Sequence, residues 1–161
     1  MSVGREFAAS IVLNDKILWV TGGSNGGILA STEYVTVTGT IPGPNLPMGL
    51  MIHAMVAINS TCSMVIGGAG QELWMGEIWH MFPLTYFYDH NEGEWINGSS
   101  LMQARYAHAA GIITDEVTGE HFVSVTGGVV TSGRVLNSTE ILQDEEWVQG
   151  KINDMLLCGY F

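Results

Sequence analysis

The chain has 161 residues, of which 47% are hydrophobic, so it can bury the core of at least one domain. Only 13% of the residues are charged, about half of the usual share, and the plentiful Gly, Thr, Val and Ile favour strands and tight turns over helices. Sixteen acidic against five basic side chains give a net charge of −11, which repels phosphate backbones and anionic lipids. We therefore expect neither nucleic acid nor a membrane surface as a partner.

The first predicted unit covers residues 5–49. Its central apolar run, residues 17–21, ends at Gly22-Gly23, which is typical of a buried strand closed by a turn. A third strand is predicted at residues 31–35, and a short fourth strand lies near Thr40, three residues before Gly43.

The second predicted unit, residues 50–104, repeats this order. The run at residues 63–66 ends at Gly67-Gly68, the third strand is predicted at residues 85–89, and Trp95 lies three residues before Gly98. The spacer after Gly68 is longer than its counterparts and rich in large apolar side chains. We hypothesise that four of them form a partner-binding surface: Trp74, Met75, Trp79 and Phe82. The alternative is that they cover the outer strand of their own unit or start the third strand early.

The third predicted unit covers residues 105–156, and residues 157–161 begin a truncated next unit. Its apolar run at residues 122–126 ends at Gly127-Gly128, its third strand is predicted at residues 138–142, and Trp147 precedes Gly150 by three residues. Five extra residues fall in the polar stretch 114–121, where a hairpin lengthens at little cost.

The register between units extends upstream of each diglycine. Residues 5–9, 50–54 and 105–109 align, and Ala8 and His53 each precede the first glycine of their pair by fourteen residues. A diglycine lets stacked sheets approach closely and adopts positive φ, and a tryptophan on an outer strand supplies a large apolar area to bury. We expect an all-β protein of four-stranded antiparallel units.

This pattern resembles the kelch repeat: an apolar strand, Gly-Gly, a spacer, a third strand, and then Trp after a turn. In that family each repeat is one four-stranded blade of a β-propeller, so the resemblance implies a partial propeller of about three blades, of the superfamily that includes the galactose oxidase central domain. The first unit departs from the pattern at Thr40 and Ala8, which replace Trp and His. The implied structural positions are Gly22, Gly23, Gly67, Gly68, Gly127, Gly128, Trp95 and Trp147.

Three blades cannot close a ring, since propellers need about four or more. The chain is then a fragment of a longer propeller with missing blades, or it self-associates head to tail, or it persists as an open arc. We favour the fragment, because residues 157–161 stop just inside a further unit.

Catalytic chemistry is not expected. His53 and His108 occupy one repeat position, as do Glu33 and Glu140, so packing explains them better than a ligand or acid–base pair. Cys62 and Cys158 are far apart, and no hydrolase, metalloprotease, phosphate-loop or dinucleotide motif occurs. We predict a protein-interaction scaffold without cofactor or metal. The alternatives are a carbohydrate-related or oxidative enzyme of galactose oxidase type and an extracellular adhesion module.

The N-terminus lacks the basic and apolar regions of a signal peptide, and no apolar run reaches the roughly 18 residues of a membrane helix. A soluble, cytoplasmic protein is therefore predicted. Sequons at Asn59, Asn97 and Asn137 fit the alternative, an extracellular protein whose signal is missing from this sequence.

Overall fold

The chain is an all-β protein built from antiparallel sheets. A computed structural model describes residues 1–71 and 79–150, with the side chains of Gln71 and Trp79 outside the description. Within these ranges the chain forms fourteen strands and no helix. No helix in them is long and apolar enough to cross a membrane.

Twelve of the strands form three four-stranded sheets that follow one another along the chain. The first sheet has the order β1 (Ala9–Leu13), β2 (Ile17–Thr21), β3 (Thr32–Thr36) and β4 (Gly39–Gly43). The second has β5 (Ala54–Ala57), β6 (Cys62–Ile66), β9 (Thr85–Asp89) and β10 (Glu94–Asn97). The third has β11 (Ala109–Thr114), β12 (His121–Thr126), β13 (Thr139–Gln143) and β14 (Glu146–Gln149). A separate pair, β7 (Ala69–Gln71) and β8 (Trp79–Met81), lies in the connection from β6 to β9.

In each sheet short connections join the first strand to the second and the third to the fourth, whereas longer segments join the second to the third. Asn14 and Asp15 between β1 and β2, and Asp144 and Glu145 between β13 and β14, all have positive φ, from 50° to 66°. Consecutive left-handed residues match the twist of antiparallel strands, and Asn and Asp tolerate that conformation better than most residues. Each sheet is therefore a simple up-and-down meander.

The alternation of side chains along the strands gives every sheet two faces, and the sheets stack through them. Trp19 and Tyr34 of the first sheet pack against Val65 and Tyr88 of the second. Met64 on the opposite face of the second sheet packs against the third. The second sheet is thus covered on both sides, with β5 between β1 and β11.

The sheets are stacked in chain order. We call the face of a sheet that is directed toward the N-terminal end of the stack its leading face, and the opposite face its trailing face. The leading face of the first sheet carries Val12, Leu18 and Val35, and the trailing face of the third carries Ile113, Phe122, Ile141 and Val148. Leu18 is 39% exposed, whereas Ser63 and Val123, which hold the same place on the covered leading faces of the second and third sheets, are 0% and 5% exposed.

Candidate functional site

The diglycines form the contacts between consecutive sheets. Gly22 has φ +59°, and a Cβ there would meet the Leu50 carbonyl oxygen and lie 2.8 Å from Cε1 of His53. Gly67 has φ +57°, and its Cβ would lie 2.9 Å from the Arg105 oxygen and 2.8 Å from Cε1 of His108. Only glycine fits both the conformation and the space.

Main-chain hydrogen bonds tie the sheets together at the same junctions. The Gly23 amide donates to the Leu50 carbonyl at 2.8 Å, and the Gly68 amide donates to the Arg105 carbonyl at 2.9 Å. A second row of bonds joins three left-handed residues that lie two positions before the first strand of each sheet, Phe7, Ile52 and Ala107. Ile52 donates to the Phe7 carbonyl at 2.9 Å, and Ala107 donates to the Ile52 carbonyl at 3.1 Å. Each junction therefore has at least two bonds that require no particular side chain.

The two aligned histidines are buried at these junctions. Nε2 of His53 lies 2.9 Å from the Thr21 hydroxyl of the preceding sheet. Burial, and to a smaller extent the nearby His108, lower the pKa of His53 to about 3. His108 faces Ile66, which has no hydroxyl, and its ring nitrogens have no well-directed partner among the described residues. Burial and the Arg105 charge lower the pKa of His108 to about 4, against the opposing effect of the nearby Ile66 carbonyl. Both rings are therefore neutral at pH 7.

The tryptophans of the fourth strands pack on the preceding sheet. Trp147 on β14 is 6% exposed, belongs to the core between the second and third sheets, and donates from Nε1 to the Ser99 carbonyl at 3.0 Å. Trp95 on β10 lies against Trp19 of the first sheet, with ring centroids 5.7 Å apart. Thr40 occupies the corresponding place on β4.

The first and third sheets each contain a buried arginine–glutamate pair. Arg5 lies 3.4 Å from Glu33, and Arg105 lies 2.5 Å from Glu140, with all four side chains at most 4% exposed. Each arginine also donates to a carbonyl of the diglycine, Gly22 at 2.7 Å or Gly127 at 2.8 Å. The pairs join the third strand of a sheet to the segment that enters its first strand.

Each glutamate also accepts amide hydrogen bonds from the entering segment. Glu33 accepts from Ser2 at 3.1 Å and Val3 at 2.9 Å, and Glu140 accepts from Met102 at 2.7 Å and Gln103 at 3.2 Å. Burial raises the pKa of Glu33, but the hydrogen bonds from Ser2 and Val3 and the Arg5 charge outweigh it, so the net pKa lies below the usual value.

The second sheet replaces this pair with apolar packing. Leu50, 0% exposed, stands at the arginine position, and Tyr86, 8% exposed, stands at the glutamate position. Pro47 takes the place of Ser2 and Met102 and has no amide hydrogen to donate. This arginine–glutamate pairing was not predicted from the sequence. Its signal was that Arg and Glu occur together in the first and third units and are both missing from the second.

The connections from the second to the third strand of each sheet form a row of small hairpins, which we call the hairpin face. They cover residues 24–28, residues 69–71 with 79–81, and residues 129–135, and are held by bridges Ser24↔Ile28, β7 with β8, and Val129↔Val135. Further bridges join them to Glu6, Met51 and Tyr106, one at the entrance to each sheet. All three hairpins therefore extend from the same end of the stack.

The predicted partner-binding residues all fall in the sequence between β6 and β9. Trp74 and Met75 lie outside the described residues, as does the side chain of Trp79, whose main chain is in β8. Phe82 is half-buried and packs against the core between the first and second sheets. Its amide donates to the Gly68 carbonyl at 3.0 Å, so Phe82 fixes the base of the hairpin.

Other polar features are modest. A cleft of about 260 Å³ lies beside the Arg105–Glu140 pair and is lined also by Met102, Gln103, Ser138 and Gln149. In residues 1–71 and 79–150 no three His, Cys, Asp or Glu side chains are grouped to hold a metal ion. The sequon asparagines Asn59, Asn97 and Asn137 are all exposed.

The geometry defines a class of protein: stacked four-stranded antiparallel sheets with variable hairpins at one end. No protein-family model matches the chain, and a search of curated proteins finds no similar sequence.

Proposed function

We propose that the three sheets are blades of a kelch-type β-propeller, and that the protein is a scaffold that binds another protein through the hairpin face, without catalysis of its own. The observation that carries this proposal is the row of hairpins, each bridged to the entrance of a sheet. Loops held by a rigid framework are the usual place for binding residues.

Differences between the hairpins support a recognition role. The framework contacts at Gly22 and Gly67 are nearly identical, yet the hairpins that follow differ in length and composition. Variation in exposed loops on a constant framework is what selective binding requires, since it changes the surface without changing the core. The proposed contact residues are Trp74, Met75, Trp79 and Phe82, which lie in the sequence between β7 and β9.

A pair of valine substitutions tests this proposal. Val135 on the hairpin face is 74% exposed, and Val117 at the opposite end of the third sheet is 94% exposed, so neither contributes to a core. We expect Val135→Asp to weaken partner binding at least tenfold and Val117→Asp to leave it unchanged, because a charge placed in an interface must be desolvated. The partner is first identified by in-cell proximity labelling with the full chain, and its affinity is then measured with purified proteins.

Stability measurements separate binding from folding. Both aspartate variants should keep the wild-type unfolding midpoint, and replacing Trp74 and Trp79 by Ala should abolish binding with little loss of stability. Equal binding by the two aspartate variants, or unfolding of the tryptophan variant, would contradict the hairpin face as the interaction surface.

A further inference from the structure

The trailing face of the third sheet has the features that form a junction elsewhere, but no described residue covers it. Gly127 has φ +68°, close to the values of Gly22 and Gly67, yet the nearest atom to a Cβ there is the Leu136 oxygen at 3.8 Å. The Gly128 amide, unlike those of Gly23 and Gly68, has no main-chain acceptor within the described ranges. Ile113, Phe122, Ile141 and Val148 form the apolar part of this face.

The complementary half of such a junction lies at the other end of the stack. The Arg5 carbonyl occupies the position at which the Leu50 and Arg105 carbonyls accept from glycine amides, and it accepts no main-chain bond from the described residues. Likewise, the Phe7 amide corresponds to the donors Ile52 and Ala107, and the Ala107 carbonyl is the matching acceptor at the trailing end. One chain therefore carries both halves of an additional junction, on opposite faces.

We propose that a second copy of this chain covers the trailing face, with the leading face of its first sheet, so that two copies form a head-to-tail pair with two equivalent junctions. The pair is closed by a two-fold axis and leaves neither apolar face exposed to water. This inference does not depend on which partner binds the hairpin face.

The side chains on the two faces fit this arrangement. In the first junction Thr21 bonds to His53, but the corresponding Thr126 hydroxyl already lies 2.9 Å from the Thr139 hydroxyl and does not need a histidine. The second copy presents Ala8 at the histidine position, which is small enough to lie against Gly127.

Apolar contact comes from Val12, Leu18 and Val35 against the trailing face, and none of these residues is charged. Because each chain carries a net charge of −11, association is stronger when salt screens the repulsion between copies.

The mass of the full chain in solution tests the proposal. Light scattering and native mass spectrometry at about 150 mM salt, where the screening length is about 8 Å, should give twice 17.4 kDa. Gly127→Ala should raise the dissociation constant at least tenfold, because the added Cβ would meet the incoming carbonyl as at Gly67. Gly26→Ala is the matched control, since Gly26 has φ +71° and open space around it.

A charge-pair experiment identifies the surfaces. Leu18→Lys alters only the leading face and Ile141→Asp only the trailing face, where Tyr34 and Phe87 hold the equivalent place in the two formed junctions. Each variant should give monomers that stay folded by circular dichroism. Mixing the two variants should restore dimers, because one junction of the mixed pair is unaltered and the two opposite charges share the other. A wild-type monomer up to about 100 μM would overturn the proposal, whether residues 151–161 or nothing covers the face. Dimers that persist in both charge variants would overturn it equally.

Discussion

At the scale of single residues, the diglycines show how a missing side chain can be a structural requirement. Gly67 combines a left-handed backbone with a carbonyl of the next sheet 2.9 Å from where its Cβ would be. The left-handed conformation and the crowding of an added Cβ destabilise an alanine variant separately, and some glycines of the chain, such as Gly26, have the left-handed conformation without the crowding. They can therefore be measured apart.

Gly67→Ala should lower the free energy of unfolding by about 2–5 kcal/mol, because left-handed strain costs roughly 1–2 kcal/mol and the crowded carbonyl adds overpacking of about 1–3 kcal/mol. Gly26→Ala, with similar φ and open surroundings, should lose only about 1 kcal/mol. Urea unfolding of both variants checks this, and equal losses would show that the junction tolerates a methyl group at Gly67.

At the scale of elements, the arginine–glutamate pairs hold a strand to the segment that leads into its own sheet. Glu140→Gln should lower the free energy of unfolding by about 3–5 kcal/mol, because it leaves the Arg105 charge buried without a counter-ion. Arg105→Leu combined with Glu140→Tyr copies the second sheet, where Leu50 and Tyr86 fill these positions. We expect this double variant to be more stable than either single variant, by thermal and urea unfolding.

The double-mutant cycle also requires the two single variants Arg105→Leu and Glu140→Tyr. A double variant as unstable as the sum of the singles would mean that Arg105 and Glu140 act independently, which their 2.5 Å separation argues against.

The sequence predicted most elements because their signals are local. The run at residues 17–21 coincides with β2, and the predicted third strands lie within one residue of β3, β9 and β13. Each is an apolar or aromatic stretch bounded by glycine or polar turn residues, which is sufficient to locate a strand.

The missed features depend on contacts that no local pattern contains. β7 and β8 are three-residue strands, and β7 starts directly after a diglycine, so neither forms an apolar run of its own. Arg105 and Glu140 are 35 residues apart, and only the fold brings them together. Phe82 is half-buried against the core between the first and second sheets, and its place in a contact surface stays a prediction, because composition alone does not show how much of an aromatic ring is exposed.

At the scale of the whole molecule, the buried histidines make the stack sensitive to acid. The folded protein keeps His53 and His108 neutral down to about pH 3 and 4, whereas the unfolded chain takes up both protons near pH 6.5. Their contribution is therefore complete above pH 6.5 and is lost as the pH falls below it, at up to ~1.4 kcal/mol per pH unit for each ring. Glu33, whose pKa is also lowered, adds a loss below about pH 4.5.

Urea unfolding midpoints between pH 8 and pH 4.5 test this prediction. His53→Gln should flatten the decline below pH 6.5, and the exposed His121→Gln should leave it unchanged. A decline as steep in His53→Gln as in the wild type would assign the acid sensitivity to other groups.

The left-handed residues that link consecutive sheets have very different side chains: Phe7, Ile52 and Ala107. Because main-chain amides and carbonyls form these hydrogen bonds, the link between sheets is the same whatever the side chains are. Tandem duplication of a coding segment would thus yield a module that already attaches to its neighbour, and mutation could then diversify its exposed loops. The main-chain links therefore allow the three sheets to keep one geometry although their sequences differ.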